Sequence, residues 1–229
     1  MRSLSSKPYL TYVLVILIGG VIPGVMTGCT RAKNAIEKVI NHYGRLDYLI
    51  LNAGISMWSR FDALPDLSAI HQLIQTNYIG AVNCAYHALP YLKKTNGMMT
   101  VISSIQGKIG VPMHTGYAAS KHALEGFFNS LRIELENEIA ILMVSPGWIE
   151  GTELKQHALG TKSGHDAKRT LKQQKQAITL ETCSNEIISA MIQRKRELIL
   201  PRKYQWLPWL KLMVPALLDN IIKSKLKNN

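Results

Sequence analysis

Leu46-Asp47-Tyr48-Leu49-Ile50-Leu51-Asn52-Ala53-Gly54 is the stretch whose reading sets the fold of this chain. A strand-like run, apolar but for one aspartate, passes straight into a tight Asn-Ala-Gly turn suited to close approach of a ligand or a neighbouring backbone. Two later runs repeat the form. Met98-Met99-Thr100-Val101-Ile102 delivers Ser103 and Ser104 at its carboxyl end, and Ile139-Ala140-Ile141-Leu142-Met143-Val144 ends in Ser145-Pro146-Gly147. Helical patterns lie between and around these runs, over Thr30–Tyr43, over a long apolar-periodic stretch at about 67–94 that carries Asn77-Tyr78-Ile79-Gly80, and over 117–137. Strands alternating with helices predict an α/β chain built on a parallel sheet, in which ligands sit at the carboxyl ends of the strands.

The second informative stretch is Tyr117-Ala118-Ala119-Ser120-Lys121, with Ser104 upstream. On a helix, Tyr117 and Lys121 stand one turn apart on one face, so their side chains can act together. That trio suits proton transfer to a carbonyl oxygen. A tyrosine with its ordinary pKa of roughly 10 is a poor acid or base at neutral pH, and a nearby cation favours its phenolate. Lys121 is expected to supply that cation and to lower the pKa of Tyr117. Ser104 is expected to hydrogen-bond the substrate oxygen and hold it within reach of the tyrosine hydroxyl.

Each piece also has a plain structural reading. Tyrosine and lysine at that separation decorate many helix faces. Asn52-Ala53-Gly54 would serve as a strand-ending turn, Asn77 as a cap or kink in its helix, Ser103 and Ser104 as partners for loop backbone groups, and Pro146-Gly147 as a turn dipeptide. The joint spacing is harder to explain in those terms.

Residues 42–147 resemble the catalytic half of a short-chain dehydrogenase/reductase. Asn52-Ala53-Gly54, Asn77, the Val101-Ile102-Ser103-Ser104 strand end, Tyr117 with Lys121, and Pro146-Gly147 all fall in family order. The resemblance implies a Rossmann-like doubly wound parallel sheet and a nicotinamide-dependent oxidoreductase, using NADP or NAD, that works on an alcohol/carbonyl pair. By the same resemblance Tyr117 is the general acid/base and Ser104 the orienting donor. Lys121 binds the nicotinamide ribose as well as tuning Tyr117, and Asn77 holds a water in a proton relay. Asn52, Ala53, Gly54, Pro146 and Gly147 flank the cofactor. Family members read Pro-Gly-x-Ile-x-Thr, whereas here Thr152 arrives one place late and is expected only as a possible cofactor contact.

The first forty residues depart from the family. A member of the family opens with a strand, a Thr-Gly-x-x-x-Gly-x-Gly loop, a helix and a second strand, and most of that first βαβ unit does not fit ahead of Thr30. Without the glycine loop that ordinarily holds the pyrophosphate, dinucleotide affinity is expected to fall sharply. Pro8 through Thr30 carries no charge, and Tyr12-Val13-Leu14-Val15-Ile16-Leu17-Ile18 lies within it. Three readings are open. With Arg2, Lys7, Arg31 and Lys33 outside it, the segment resembles a signal anchor of the ~20 residues a membrane span needs. Alternatively, Val13–Ile18 is a degenerate first strand and Gly19-Gly20-Val21-Ile22-Pro23-Gly24 a damaged glycine loop. The third reading is a cleavable secretory signal ending near Met26-Thr27-Gly28-Cys29.

Composition fits one α/β domain. The 229 residues are 47% hydrophobic, enough for a substantial core. Cys29, Cys84 and Cys183 form neither a metal spacing nor a disulfide framework, and Cys84 reads as core. The formal charge of +12 is concentrated in two places. Lys155, Lys162, Lys168, Arg169, Lys172 and Lys175 face Asp166 alone, in the region where the family keeps its substrate loop, and most read as solvated loop positions. The second basic region runs from Arg194-Lys195-Arg196 through a final strand, Glu197–Leu200, to the carboxyl end.

In that tail Trp206, Leu210, Met213, Val214, Leu217, Leu218, Ile221 and Ile222 recur at helical intervals between lysines, and Pro208 and Pro215 are expected to divide the helix. Such a stripe suits a helix lying in a membrane interface. It equally suits one packed on the core or covering a dimer face. The tail also resembles the member 7 and 7B branch of the dehydrogenase/reductases, related to 11-beta-hydroxysteroid dehydrogenase type 1, which implies an intracellular membrane, the endoplasmic reticulum above all, and a lipophilic carbonyl or alcohol substrate. Nucleic-acid binding is not expected, because the basic clusters lack aromatic interleaving on a sheet face.

The expected organisation is thus an apolar segment at 1–29, a truncated Rossmann-like catalytic domain at 30–203 and a basic amphipathic tail at 204–229. The alternative in function is a catalytically silent chain that keeps the fold's interaction surfaces. In the family, helices equivalent to 67–94 and 117–137 pair across a two-fold axis, so either form could make a homodimer.

Overall fold

A computed structural model describes residues 13–16, 29–152, 154, 158–160 and 177–227. The elements follow in the order β1 (Val13–Ile16), α1 (Cys29–Tyr43), β2 (Tyr48–Leu51), α2 (Ser68–Leu73), α3 (Gly80–Thr95), β3 (Met98–Ile102), α4 (Thr115–Glu134), β4 (Ala140–Pro146), α5 (Leu180–Ile192), β5 (Glu197–Leu200), α6 (Leu207–Met213) and α7 (Pro215–Lys227). The five strands form one sheet in the order β1-β2-β3-β4-β5, and every pairing is parallel.

Helices cover both faces, which is why the strand sequences are apolar almost without alternation. On one face Ala32 and Ile36 of α1, Cys84, Ala88 and Leu92 of α3, and Leu124 and Phe128 of α4 pack on Leu49, Val101, Ile141 and Met143. The opposite face packs Met98, Leu142, Val144 and Leu198 against Cys183, Ala190 and Met191 of α5. This is the Rossmann-like, doubly wound α/β architecture expected from the sequence.

Four residues of the apolar amino-terminal stretch, Val13–Ile16, form the edge strand β1 and pair with Tyr48–Leu51. The Gly19–Gly24 segment, most of the Met26–Cys29 box and the six basic residues of the expected substrate loop lie outside the described residues. Among those described, no helix is long and apolar enough to cross a membrane.

Two elements differ from expectation or refine it. The periodic stretch at 67–94 is a continuous helical run whose middle widens into a π-helical turn, Ile74–Ile79, between α2 and α3. The wider turn brings Asn77 fully inside, where its amide finds backbone partners. In the tail, α6 carries Pro208 near its start and α7 begins at Pro215, both places where a proline's missing N–H costs nothing. Leu207, Leu210, Leu218 and Ile222 dock onto Ile105, Ile109, Val111, Ile199 and Tyr204. Trp206, Met213, Val214 and Leu217 of the stripe face outward, Trp206 74% and Met213 73% exposed, and Ile221 is half-buried.

Candidate active site

The carboxyl ends of β2, β3 and β4 lie side by side because the strands run parallel and in register. At the end of β3 the Ser103 N–H donates to Val144 O at 2.7 Å, which ties the departing chain to β4. Ser104 follows in extended backbone and caps a 3-10 turn, Ile105–Gly107, its hydroxyl accepting from the Gln106 N–H at 3.2 Å.

Helix α4 brings up the other two members of the trio. Tyr117 and Lys121 are both buried on its inward face. The Lys121 ammonium donates to Ile102 O at 2.8 Å and lies 5.7 Å from the Tyr117 ring centroid. Burial pushes the Tyr117 phenol up to about 12, and the neighbouring Ser104 hydroxyl opposes that rise. Burial pulls Lys121 down to about 8, with Glu125 acting against it. The expected lowering of the Tyr117 pKa by Lys121 is therefore not what this geometry delivers. Desolvation sets the direction, and the phenol is protonated at neutral pH.

Asn77 is 0% exposed. Its Oδ1 accepts from the Ile55 N–H at 2.8 Å, and its Nδ2 donates to Ile55 O and to Ser120 Oγ, both at 2.9 Å. Ser120 in turn donates to Tyr117 O at 2.8 Å. The side chain thus latches the segment after β2 to α4, beside the tyrosine. Gly54 sits at the same junction: a Cβ there would lie 3.5 Å from Asn77 Oδ1 and 3.6 Å from Lys121 Nζ. Asn52 is exposed and Ala53 half-buried at the mouth of this turn.

The residues after β4 divide. Pro146 closes the strand. Gly147 donates to Leu200 O at 2.6 Å, and a Cβ on it would come within 2.3 Å of the Tyr204 ring, so protein packing by itself accounts for the glycine. Thr152 is exposed and turns its hydroxyl to Ile149 O at 3.4 Å.

Three aromatic residues stand beside the trio that the sequence reading passed over. The buried His114 ring meets Trp58 edge-on at 4.8 Å between centroids, Tyr117 at 6.2 Å and Trp148 at 6.4 Å. Its Nδ1 lies 3.1 Å from Pro112 O. Trp148 is flagged by its place directly after Pro146-Gly147, but no periodicity points to Trp58 or His114. A second omission is Glu125, one turn beyond Lys121 on α4 and buried. Its spacing made it legible.

In chemical terms two hydroxyls and an ammonium converge at the strand ends, next to an open turn and an aromatic wall. Comparison with known proteins agrees. The short chain dehydrogenase family profile matches residues 21–162. The chain is 38% identical over 200 residues to a Dictyostelium discoideum protein named dehydrogenase/reductase SDR family protein 7-like, covering 87% of this chain and 61% of that one. It is 32% identical to 11-beta-hydroxysteroid dehydrogenase A of Arachis hypogaea, covering 80% of this chain and 54% of that one. The chain therefore spans a little over half the length of these relatives. A short chain dehydrogenase from Burkholderia cenocepacia, solved in complex with NADP, superposes with a TM-score of 0.69 at 19% identity, over 86% of this chain and 75% of that one, a likeness of fold.

Proposed function

The chain belongs to the short-chain dehydrogenase family, and on that premise we propose that it is an oxidoreductase interconverting an alcohol and a carbonyl on a lipophilic substrate, with Tyr117 as general acid/base. The observation that carries this reading is the burial of Tyr117 and Lys121 together on the inward face of α4, against the end of β3 that Lys121 Nζ grips at Ile102 O and from which Ser104 departs. The proton that Tyr117 holds at neutral pH is the one a carbonyl oxygen would receive, and Ser104 would hold that oxygen in place. Lys121, fixed by Ile102 O, would supply positive charge beside it. Asn77 would act by keeping Ser120 and the tyrosine's own turn in position.

The donor set fits the nicotinamide and ribose end of NADP or NAD, because the Lys121 ammonium lies beside the Gly54 turn and Tyr117 stands one turn away on the same helix. Asn52, Ala53, Gly54, Tyr117 and Lys121 would line that end, with Pro146, Gly147 and Thr152 on the β4 side. The cofactor would supply or accept the hydride. The lipophilic character of the substrate is supported by the Trp58-His114-Trp148 wall and by the hydroxysteroid dehydrogenase names of the relatives.

We place the protein on an intracellular membrane, the endoplasmic reticulum in the first instance, on the support of the outward faces of α6 and α7: Trp206, Trp209, Leu212 and Met213 are exposed beside Lys203. A homodimer through α3 and α4 is the further expectation, with the exposed Tyr86 and Ile133 on those helices.

The test is a titration with NADPH and NADH followed by nicotinamide fluorescence, then turnover on hydrophobic ketones by wild type and Tyr117→Phe. Binding with turnover that the variant loses supports the enzyme. Absence of binding to either dinucleotide at millimolar concentration sinks it in favour of a silent interaction protein.

A further inference from the structure

Beneath the proton-transfer pair lies a buried ionic cluster that the reading above does not use. Glu125 is buried on α4, one turn beyond Lys121, and both of its oxygens are engaged. Oε1 accepts from Ser145 Oγ of β4 at 3.0 Å, and Oε2 accepts from Lys108 Nζ at 2.7 Å. Asn129, one turn on, donates to Oε2 at 3.5 Å. Lys108 is shared with Glu197 Oε1 of β5 at 2.6 Å. The 3-10 turn that carries Ser104 delivers Lys108, and it presses hard on α4. A Cβ on Gly107 would lie 2.7 Å from Ser103 Oγ, 3.0 Å from Lys121 O and 3.1 Å from Glu125 Cγ.

A carboxylate so placed costs heavily to desolvate unless cations and donors surround it, so the arrangement needs a reason beyond filling space. Its partners all sit on pieces that carry the site: β4 ends in Pro146, the 3-10 turn begins at Ser104, and α4 holds Tyr117 and Lys121. We propose that Glu125 is a positioning residue for the proton-transfer pair, clamping the Tyr117–Lys121 turn of α4 to the 3-10 turn and to β4 while supplying the buried countercharge to the Lys121 ammonium. The inference rests on the oxidoreductase reading for its purpose, although the clamp itself is independent of turnover.

The charged groups around Glu125 give the clamp a sign that can be read. Lys121 lies on its own helix, Lys108 comes from the 3-10 turn and Glu197 from β5. Arg132 of α4 feels the repulsion of Arg196 before β5 and the attraction of Glu197 and Glu125. Lys211 of α6 turns its ammonium back to Lys108 O at 2.9 Å. Lys108 thus bridges two carboxylates, of which Glu125 alone is buried, and the Glu125 charge also acts on Lys121 one turn back on α4. Removing Glu125 strips Lys121 of its countercharge, whereas removing Lys108 leaves Glu125 to Lys121 alone.

The experiment follows the side-chain titration of Lys121 by NMR in the full chain without added dinucleotide, labelled at lysine Cε, the resonance being identified by its loss in Lys121→Arg. In Glu125→Gln the Lys121 midpoint should fall by roughly one pH unit, the size of effect a close opposite charge exerts. In Lys108→Gln it should rise, and in Glu125→Asp it should return toward wild type. An unmoved midpoint in both charge variants, or a shift of the same sign in the two, overturns the proposal. If Glu125→Gln does not fold, the direction seen in Lys108→Gln decides alone. Opposite shifts in a chain that turns over no substrate uphold the clamp and sink the oxidoreductase reading instead. In an active chain, the pH profile of kcat/KM should move with the Lys121 midpoint in each variant.

Discussion

Lys121 Nζ is hydrogen-bonded to the carbonyl oxygen of Ile102 at 2.8 Å, so the ammonium is fastened to the end of β3, two residues before Ser104, and not to the tyrosine it accompanies. With that one hydrogen bond among the described residues, the buried cation is poorly compensated for lost water, which is why its pKa falls to about 8.

That burial has a measurable cost. The folded-state value lies below the ordinary 10.5, so below about pH 8 the charged lysine weighs on the fold in full. The penalty is relieved as pH rises from 8 toward 10.5. At 1.36 kcal/mol per unit the pH-dependent part is on the order of 3 kcal/mol. Lys121→Met should therefore gain stability relative to wild type at pH 7, with the gap closing by pH 10, while turnover is lost. Urea unfolding of both proteins from pH 7 to 10 checks this, and a gap that stays constant with pH contradicts it.

Tyr117 carries the opposite sign. Its folded-state value of about 12 exceeds the ordinary 10, so the protonated phenol contributes stability that is complete below pH 10 and lost as pH climbs to 12. Tyr117→Phe should cost no more than about 1 kcal/mol at neutral pH, the worth of an ordinary polar contact. It should abolish the alkaline loss specific to this residue, and it should lower turnover by roughly 10²- to 10⁴-fold. Thermal unfolding at pH 7 and pH 11 with parallel rate measurements separates a chemical role from a packing role.

Asn77 makes three hydrogen bonds from a fully buried amide. Asn77→Ala leaves both polar groups of Ile55 without that partner, and a loss of about 2–4 kcal/mol is expected. Were the side chain needed only to hold a water, turnover would fall with stability untouched. Equilibrium unfolding in urea tells the two apart.

The aromatic wall makes a prediction about specificity. His114 is wedged edge-on against Trp58 and Trp148 next to the tyrosine ring. Trp58→Ala and Trp148→Ala should raise KM for a bulky hydrophobic ketone by about 10-fold, consistent with about 1–3 kcal/mol of apolar contact, and leave kcat and dinucleotide affinity nearly unchanged. Equal losses with a small ketone such as acetone would place the tryptophans in the scaffold and not at the substrate.

Legibility followed the range of the forces involved. Strands β2 to β5 could be read directly because a strand covered on both faces needs a short unbroken apolar run, as Met98–Ile102 and Ala140–Pro146 provide. Tyr117 and Lys121 could be placed together because helical periodicity is local. The π turn at Ile74–Ile79 could not, since it exists to satisfy Ile55, 22 residues earlier. Nor could the pKa of Tyr117, whose sign is set by burial from several elements at once and not by the neighbouring cation. Glu125 lay at a readable spacing, but Lys108 and Ser145, which give it meaning, arrive from other elements.

The tail offers a final prediction, because the structure splits its apolar stripe in two. Leu218 is 2% exposed and packs with Ile105, Ile109 and Ile199, so Leu218→Ala should destabilise the fold by about 2–5 kcal/mol. Trp206, Trp209 and Met213 touch solvent, and their replacement by serine should change stability by no more than about 0.5 kcal/mol each. If that outer face meets a membrane, the triple serine variant should lose flotation with vesicles of phosphatidylcholine and phosphatidylserine while its unfolding midpoint is kept, and Leu218→Ala should show the reverse pattern. Vesicle binding equal in wild type and triple variant would remove the membrane role from this face. The two halves of one helical stripe answer to different solvents, and only measurements that report folding and flotation separately can assign each half to its own.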